Sequence, residues 1–173
     1  MAPLLQSGLF AIPAFSAGIA IQLVFSLAMQ GLAVAMILWL QSGRGFTPLQ
    51  AGLTLLWFSV GGILTAPTAG TLALTRGRKV LVLGALTMAA GTTLLGVVVW
   101  NSGASVSSWA LGPGLLMAGA GLGWLIVPLV NVVLTAVPAD GAGGASGIFS
   151  TAQQFGGALG VALLGMVFFN QLA

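Results

Sequence analysis

The chain has 173 residues, of which 58% are hydrophobic and 3% charged, with a mean hydropathy of +1.15; that leaves too little polar surface for a soluble globule and points to an all-α, polytopic bundle embedded in a lipid bilayer. Its net charge of +3 comes from four cations against the single acid Asp140, with no basic face to dock phosphates, so the high pI does not imply a nucleic-acid partner. Cysteine and histidine are absent, which excludes disulfides, thiol chemistry and the commonest metal ligands, and no cofactor or metal is expected.

The first apolar region runs uncharged from Met1 to Gly43, enough for a lead-in and one span, since a crossing needs about 20 residues. No cationic leader precedes it, so no cleaved secretory signal is expected. Pro13 marks a helix start, and the first span is placed at about 15–41, after an interfacial lead-in carrying Gln6, Ser7 and Gly8. Gln22, Ser26 and Gln30 recur every four residues, forming one polar stripe. Such a stripe avoids lipid either by bonding to neighbouring helices or by lining a wet cavity, and periodicity leaves both open.

Gln41 to Gly45 reads as a turn, and Thr47-Pro48 supplies a capping hydroxyl followed by proline at the first helical position. The second span is placed at about 48–74, with Pro67 near its far end. Next comes Arg76-Gly77-Arg78-Lys79, which holds three of the four cations. The third span, about 80–100, has only Thr87, Thr92 and Thr93 as polar side chains. Threonine can return its hydroxyl to its own helix, so this span can face lipid almost all round.

Asn101 to Ser108 is small and polar and is bracketed by Trp100 and Trp109, as at a membrane boundary. The fourth span, about 111–137, carries Gly119, Gly121, Gly123, Pro128 and Asn131. Gly119 and Gly123, four apart, let a neighbouring backbone approach. After the glycine-rich break around Asp140, the fifth span, about 145–170, carries Ser146, Ser150, Gln153 and Gln154, with Gly156 and Gly160 four apart below them. The whole of 1–173 thus reads as one transmembrane domain of five spans.

Cations are costly inside a bilayer and remain in cytoplasmic loops. Placing Arg76, Arg78 and Lys79 inside puts the N-terminus in the cytoplasm and the C-terminus outside. Trp39, Trp100 and Trp109 then fall at the external boundary, and Arg44 is the exception to the charge bias. No catalytic constellation emerges: one carboxylate cannot form an acid–base pair, and no histidine can activate a hydroxyl. The run Gly119-x-Gly121-x-Gly123 lacks the preceding strand of a nucleotide site and reads as helix packing. An enzyme is not expected.

Four segments in order, "GFTPLQAGL", "APTAGTLALTRGRKVLVLGAL", "GAGLGWLIVP" and "VPADGAGGASGIFSTAQQFGGALGVALLGMVFF", resemble the C-terminal half of a major facilitator transporter of the fourteen-helix drug:proton antiporter family. The last is the most specific, with Ala145, Ser146 and Gly147 followed by Thr151, Gln154, Gly156, Gly157 and Gly160. The resemblance implies a multi-pass protein of the bacterial plasma membrane supplying the first five of the last six helices, and so a piece that needs the N-terminal half of a transporter. Two positions depart from the family pattern: Thr75 and Gln153 stand where arginine is frequent, and no acid precedes the basic loop.

By the same analogy the first and fourth spans face the central cavity, which favours Gln22, Ser26, Gln30 and Asn131 as the path of a small-molecule substrate. Ser150, Gln153 and Gln154 are expected to bond across a helix interface. The function implied is export of drugs or other small amphiphiles by proton antiport. No carboxylate lies within a span, so the coupling group is expected in the N-terminal half. The alternative is a membrane scaffold or an inactive truncated transporter.

Overall fold

The computed structural model describes residues 7–76, 78–101, 106–138 and 141–170. Residues 1–6 of the lead-in, Gly77, residues 102–105 of the loop before the fourth helix and Asp140 lie outside the described residues, as does the Arg78 side chain. A 3₁₀ turn, Ser7–Ala11, precedes five α-helices: α1 (Pro13–Leu38), α2 (Pro48–Arg76), α3 (Arg78–Asn101), α4 (Ser108–Thr135) and α5 (Ala142–Asn170). No strand occurs among the described residues.

Helix ends follow local chemistry. Pro13 sits at the start of α1, where its missing N–H removes no helical bond. At the far end the turn-like composition predicts a stop near Gln41, yet a π-helical turn, Trp39–Gly43, carries the coil further. The break comes at Gly45, with φ of +68°, a conformation open to glycine at little cost. The Phe46 N–H then donates back to the Leu40 carbonyl at 3.0 Å, satisfying an end carbonyl. Two residues on, the Gln50 N–H donates to Thr47 Oγ1 at 3.3 Å and the Thr47 N–H to Gln50 Oε1 at 3.0 Å. This reciprocal capping box starts α2.

The described chain falls into two compact units. The first, Met1–Trp39 with Asn131–Ala173, holds α1, α5 and the last turn of α4. Its core is the α1–α5 pair, in which glycines let the backbones touch. A Cβ on Gly156 would fall on the Leu23 carbonyl and one on Gly160 on the Leu27 carbonyl, while one on Gly31 would meet Leu164. These contacts climb both helices together, so α1 and α5 run parallel.

The second unit, Leu40–Val130, holds α2, α3 and most of α4. Successive residues of a helix are about 100° apart, so glycines two apart face opposite sides. Gly119 and Gly123 accordingly face α2: a Cβ on Gly119 would strike the Phe58 carbonyl, and one on Gly123 would come within 2.8 Å of the Gly62 carbonyl. Gly121 faces α3, where a Cβ would come within 2.6 Å of the Gly84 carbonyl. Contacts with α2 rise together along both helices, whereas Gly91 lies by Gly114 and Gly84 by Gly121. Hence α2 and α4 are parallel and α3 is antiparallel to α4. Within each unit these are the directions of helices that cross a bilayer in turn.

By length and apolarity four segments among the described residues can span a membrane: Pro13–Gly43, Pro48–Leu72, Lys79–Asn101 and Ser108–Val133. The last is 39% buried against 17% for the others, as befits a helix packed on two sides. α5 has the length, 29 residues, but its first half carries Ser146, Ser150, Thr151, Gln153 and Gln154 and it is not in that set. The chain is therefore an integral, multi-pass membrane protein by its helices.

Candidate functional site

The polar residues of the first unit divide into a buried pair and an exposed set. On α1, Gln22 is wholly buried and Ser26 is 5% exposed. Their four-residue spacing lets the Gln22 Nε2 amide donate to Ser26 Oγ at 2.8 Å within the same helix. Gln22 Oε1 stays buried with no hydrogen-bond partner among the described residues. A buried acceptor in that state retains its full demand for a donor. Gln30, one turn beyond Ser26, is exposed, and its Cγ lies 3.0 Å from where a Cβ on Gly157 would be. The stripe seen in the sequence thus splits into two buried members and one exposed member.

Asn131 on α4 is exposed, and its carbonyl accepts from Thr135 Oγ1 at 2.6 Å. On α5, Ser150, Gln153 and Gln154 are all exposed. The side chains that close on their own backbone there are Ser146, to the Gly143 carbonyl, and Thr151, to the Gly147 carbonyl. Gly156 and Gly160 are buried against α1.

In the second unit the hydroxyls bind helices together. Thr54 Oγ1 donates to Ser108 Oγ at 2.8 Å, Thr65 Oγ1 to the Ala120 carbonyl at 2.9 Å, and Trp124 Nε1 to Thr68 Oγ1 at 2.9 Å. Spacings of eleven and three put Thr54, Thr65 and Thr68 on one stripe of α2, a signal the sequence reading passed over. Bonds of this kind contribute about 0.6 kcal/mol each in membrane bundles. On α3, by contrast, Thr87 donates to the Leu83 carbonyl, and Thr92 and Thr93 to that of Ala89. Those hydroxyls close on their own helix and leave α3 compatible with lipid.

The basic stretch straddles the α2–α3 junction. Arg76 is the last residue of α2, where a cation complements the helix dipole, and Lys79 is the second residue of α3. Both are exposed. No group of three or more potential metal ligands occurs among the described residues.

A family model described as Major Facilitator Superfamily matches residues 8–172. The chain belongs to the Major Facilitator Superfamily. It is 36% identical over 175 residues to a "Probable actinorhodin transporter" of Streptomyces coelicolor, covering 99% of this chain and 30% of that protein. Over 165 residues it is 33% identical to "Multidrug resistance protein Stp" of Mycobacterium tuberculosis, covering 95% and 30%. A "Tetracenomycin C resistance and export protein" of Streptomyces glaucescens is 29% identical over 167 residues, with 95% and 30% covered. The chain thus spans about 30% of the length of these curated relatives. Membership in a superfamily of transporters fits the membrane-spanning helices.

Proposed function

We propose that this chain forms part of a secondary active transporter that exports drugs or other small amphiphilic compounds. The observation that carries this reading is its similarity, along nearly its whole length, to proteins named for antibiotic export and multidrug resistance. Export by proton antiport would draw its coupling group from helices beyond these, because no acid lies within any of the four apolar spans. An N-terminal half is the partner such a mechanism requires.

α5 is proposed as a fifth span. It runs parallel to α1 and touches it from Gly156 to Leu164, so a bilayer crossed by α1 is crossed by α5 in the same direction. The basic junction is placed in the cytoplasm and the 101–108 loop outside. Single cysteines at Gly77, Ser105 and Gly141 should react with an impermeant maleimide from outside only at Ser105. External labelling at Gly77 would reverse the orientation.

For the substrate path the exposed pair Gln30 and Asn131 is favoured. Gln22 and Ser26 lie behind, already bonded to each other, with Gln22 Oε1 left for a water or a ligand donor that reaches it. In a transporter assembled from this chain and the remaining helices of the actinorhodin relative, Gln30→Leu or Asn131→Leu should change export rate or spectrum about two- to tenfold, the value of one hydrogen bond. Thr92→Val, whose hydroxyl serves only its own helix, should change neither. Equal responses at equal expression would remove Gln30 and Asn131 from the path.

A further inference from the structure

At the α2–α3 junction lies a cavity of about 440 Å³ lined by Leu72, Arg76, Lys79, Val80 and Leu83. Its lining is sorted by chemistry. Leu72 and Arg76 are four apart on one face of α2, and Lys79 and Leu83 are four apart on one face of α3. Both cations therefore stand at the junction end, and both leucines lie one helical turn deeper. Val80 is fully buried and forms the wall, while Leu83 is 42% exposed. No acid is present among the described residues. Lys79 also stands in the first turn of α3, where the helix dipole and unpaired N–H groups are already positive. A cation there gains nothing from its own helix and gains from an anion brought to it.

We propose that this cavity holds one anionic phospholipid, its phosphate between Arg76 and Lys79 and the start of an acyl chain against Leu72, Val80 and Leu83. A hydrated soluble anion would use the two cations and leave the three apolar side chains without a role. A lipid uses both ends in the order in which a membrane presents them. The site shares no residue with the proposed substrate path, and it stands whether or not the transport reading does.

The test uses the full chain purified in dodecyl maltoside, titrated with dioleoylphosphatidylglycerol, dioleoylphosphatidylcholine or inorganic phosphate and read by native mass spectrometry. The phosphatidylglycerol should be retained and the phosphatidylcholine should bind more weakly by about tenfold or more. Each juxtamembrane cation is worth about a fivefold change, so Arg76→Gln with Lys79→Gln should weaken phosphatidylglycerol on the order of twentyfold. Arg44→Gln, which removes the same charge elsewhere, should leave it unchanged, and Leu83→Ser should weaken it. Should the double variant lose helicity by circular dichroism, Arg76→Gln alone carries the comparison with an expected fivefold loss. Unchanged binding in the Arg76 variants, an equal loss in Arg44→Gln, or displacement of the lipid by inorganic phosphate would overturn the proposal.

Discussion

Replacing both Gly156 and Gly160 by leucine should uncouple α1 from α5 and cost on the order of 3 kcal/mol, the upper end for overpacked interiors. The size of the effect follows from what each new side chain would meet. At both positions the obstructing atom is a carbonyl of the α1 backbone, at Leu23 and Leu27, and a backbone cannot turn aside as a side-chain tip can. The helices must separate, and they then lose dispersion contacts along the whole interface; between membrane helices such packing is a principal attraction, because lipid is as apolar as leucine. Gly165→Leu is the control, since nothing lies within 4 Å of a Cβ there. Relief of glycine's helix penalty, about 1 kcal/mol, should make that variant neutral or slightly more stable. Unfolding of the purified chain in mixed micelles with rising dodecyl sulfate, followed by far-ultraviolet circular dichroism, reads both. Equal losses at Gly165 and at the Gly156/Gly160 pair would show that the glycines do not set the interface.

How far such an interface was legible can be judged from the same glycines. Spacing alone marked Gly119/Gly123 and Gly156/Gly160 as places of close approach, because four residues return a helix to nearly the same face. It could not say which helix approaches, as that depends on contacts distant in sequence. Gly121 shows the gap: it lies between two marked glycines and serves a different neighbour, α3 rather than α2. The threonines of α2 were readable in principle, since Thr54, Thr65 and Thr68 share a stripe, but the partners Ser108, Ala120 and Trp124 were not. Turn composition from Gln41 to Gly45 predicts a helix end at Gln41, whereas α1 passes at Trp39 into a π turn that carries the coil to Gly43, and only the backbone of Gly45 requires a break.

The polar stripe of α1 was legible as a stripe and no further. Periodicity places Gln22, Ser26 and Gln30 on one side of the helix, yet a glutamine side chain is long enough to reach its own helix four residues on. In the structure Gln22 does so, which buries its amide with Ser26 and leaves Gln30 to face outward. The choice between internal bonding and a wet surface is made by rotamer and by the neighbouring helix, neither of which a repeat encodes. Ser150, Gln153 and Gln154 stand exposed on α5, where helices beyond this chain would have to supply the interface expected for them.

Residues 1–173, placed alone in vesicles with an imposed proton gradient, should insert yet show dye efflux no faster than empty vesicles. Two arguments converge on that loss. Gradient-driven export needs a group that changes protonation at membrane depth, usually a carboxylate. The single acid here, Asp140, falls between α4 and α5 rather than within either. The second argument is geometric. Gln30, Asn131, Ser150, Gln153 and Gln154 all stand exposed on the unit formed by α1, α5 and the end of α4, a set of polar groups that lipid solvates poorly. Each is worth only about 0.6 kcal/mol in a membrane hydrogen bond, so insertion should survive while an enclosed path does not form. The relatives it matches are about three times as long, and on the proton-antiport reading proposed above the further helices of such a protein would cover those groups and bring the titrating carboxylate. Co-expression with the remaining helices of the actinorhodin relative should therefore restore efflux that collapses when the proton gradient is dissipated. Rapid gradient-driven efflux by the 173-residue chain alone would defeat this reading, because it would require several copies to build a path and couple it to protons without any carboxylate inside the membrane.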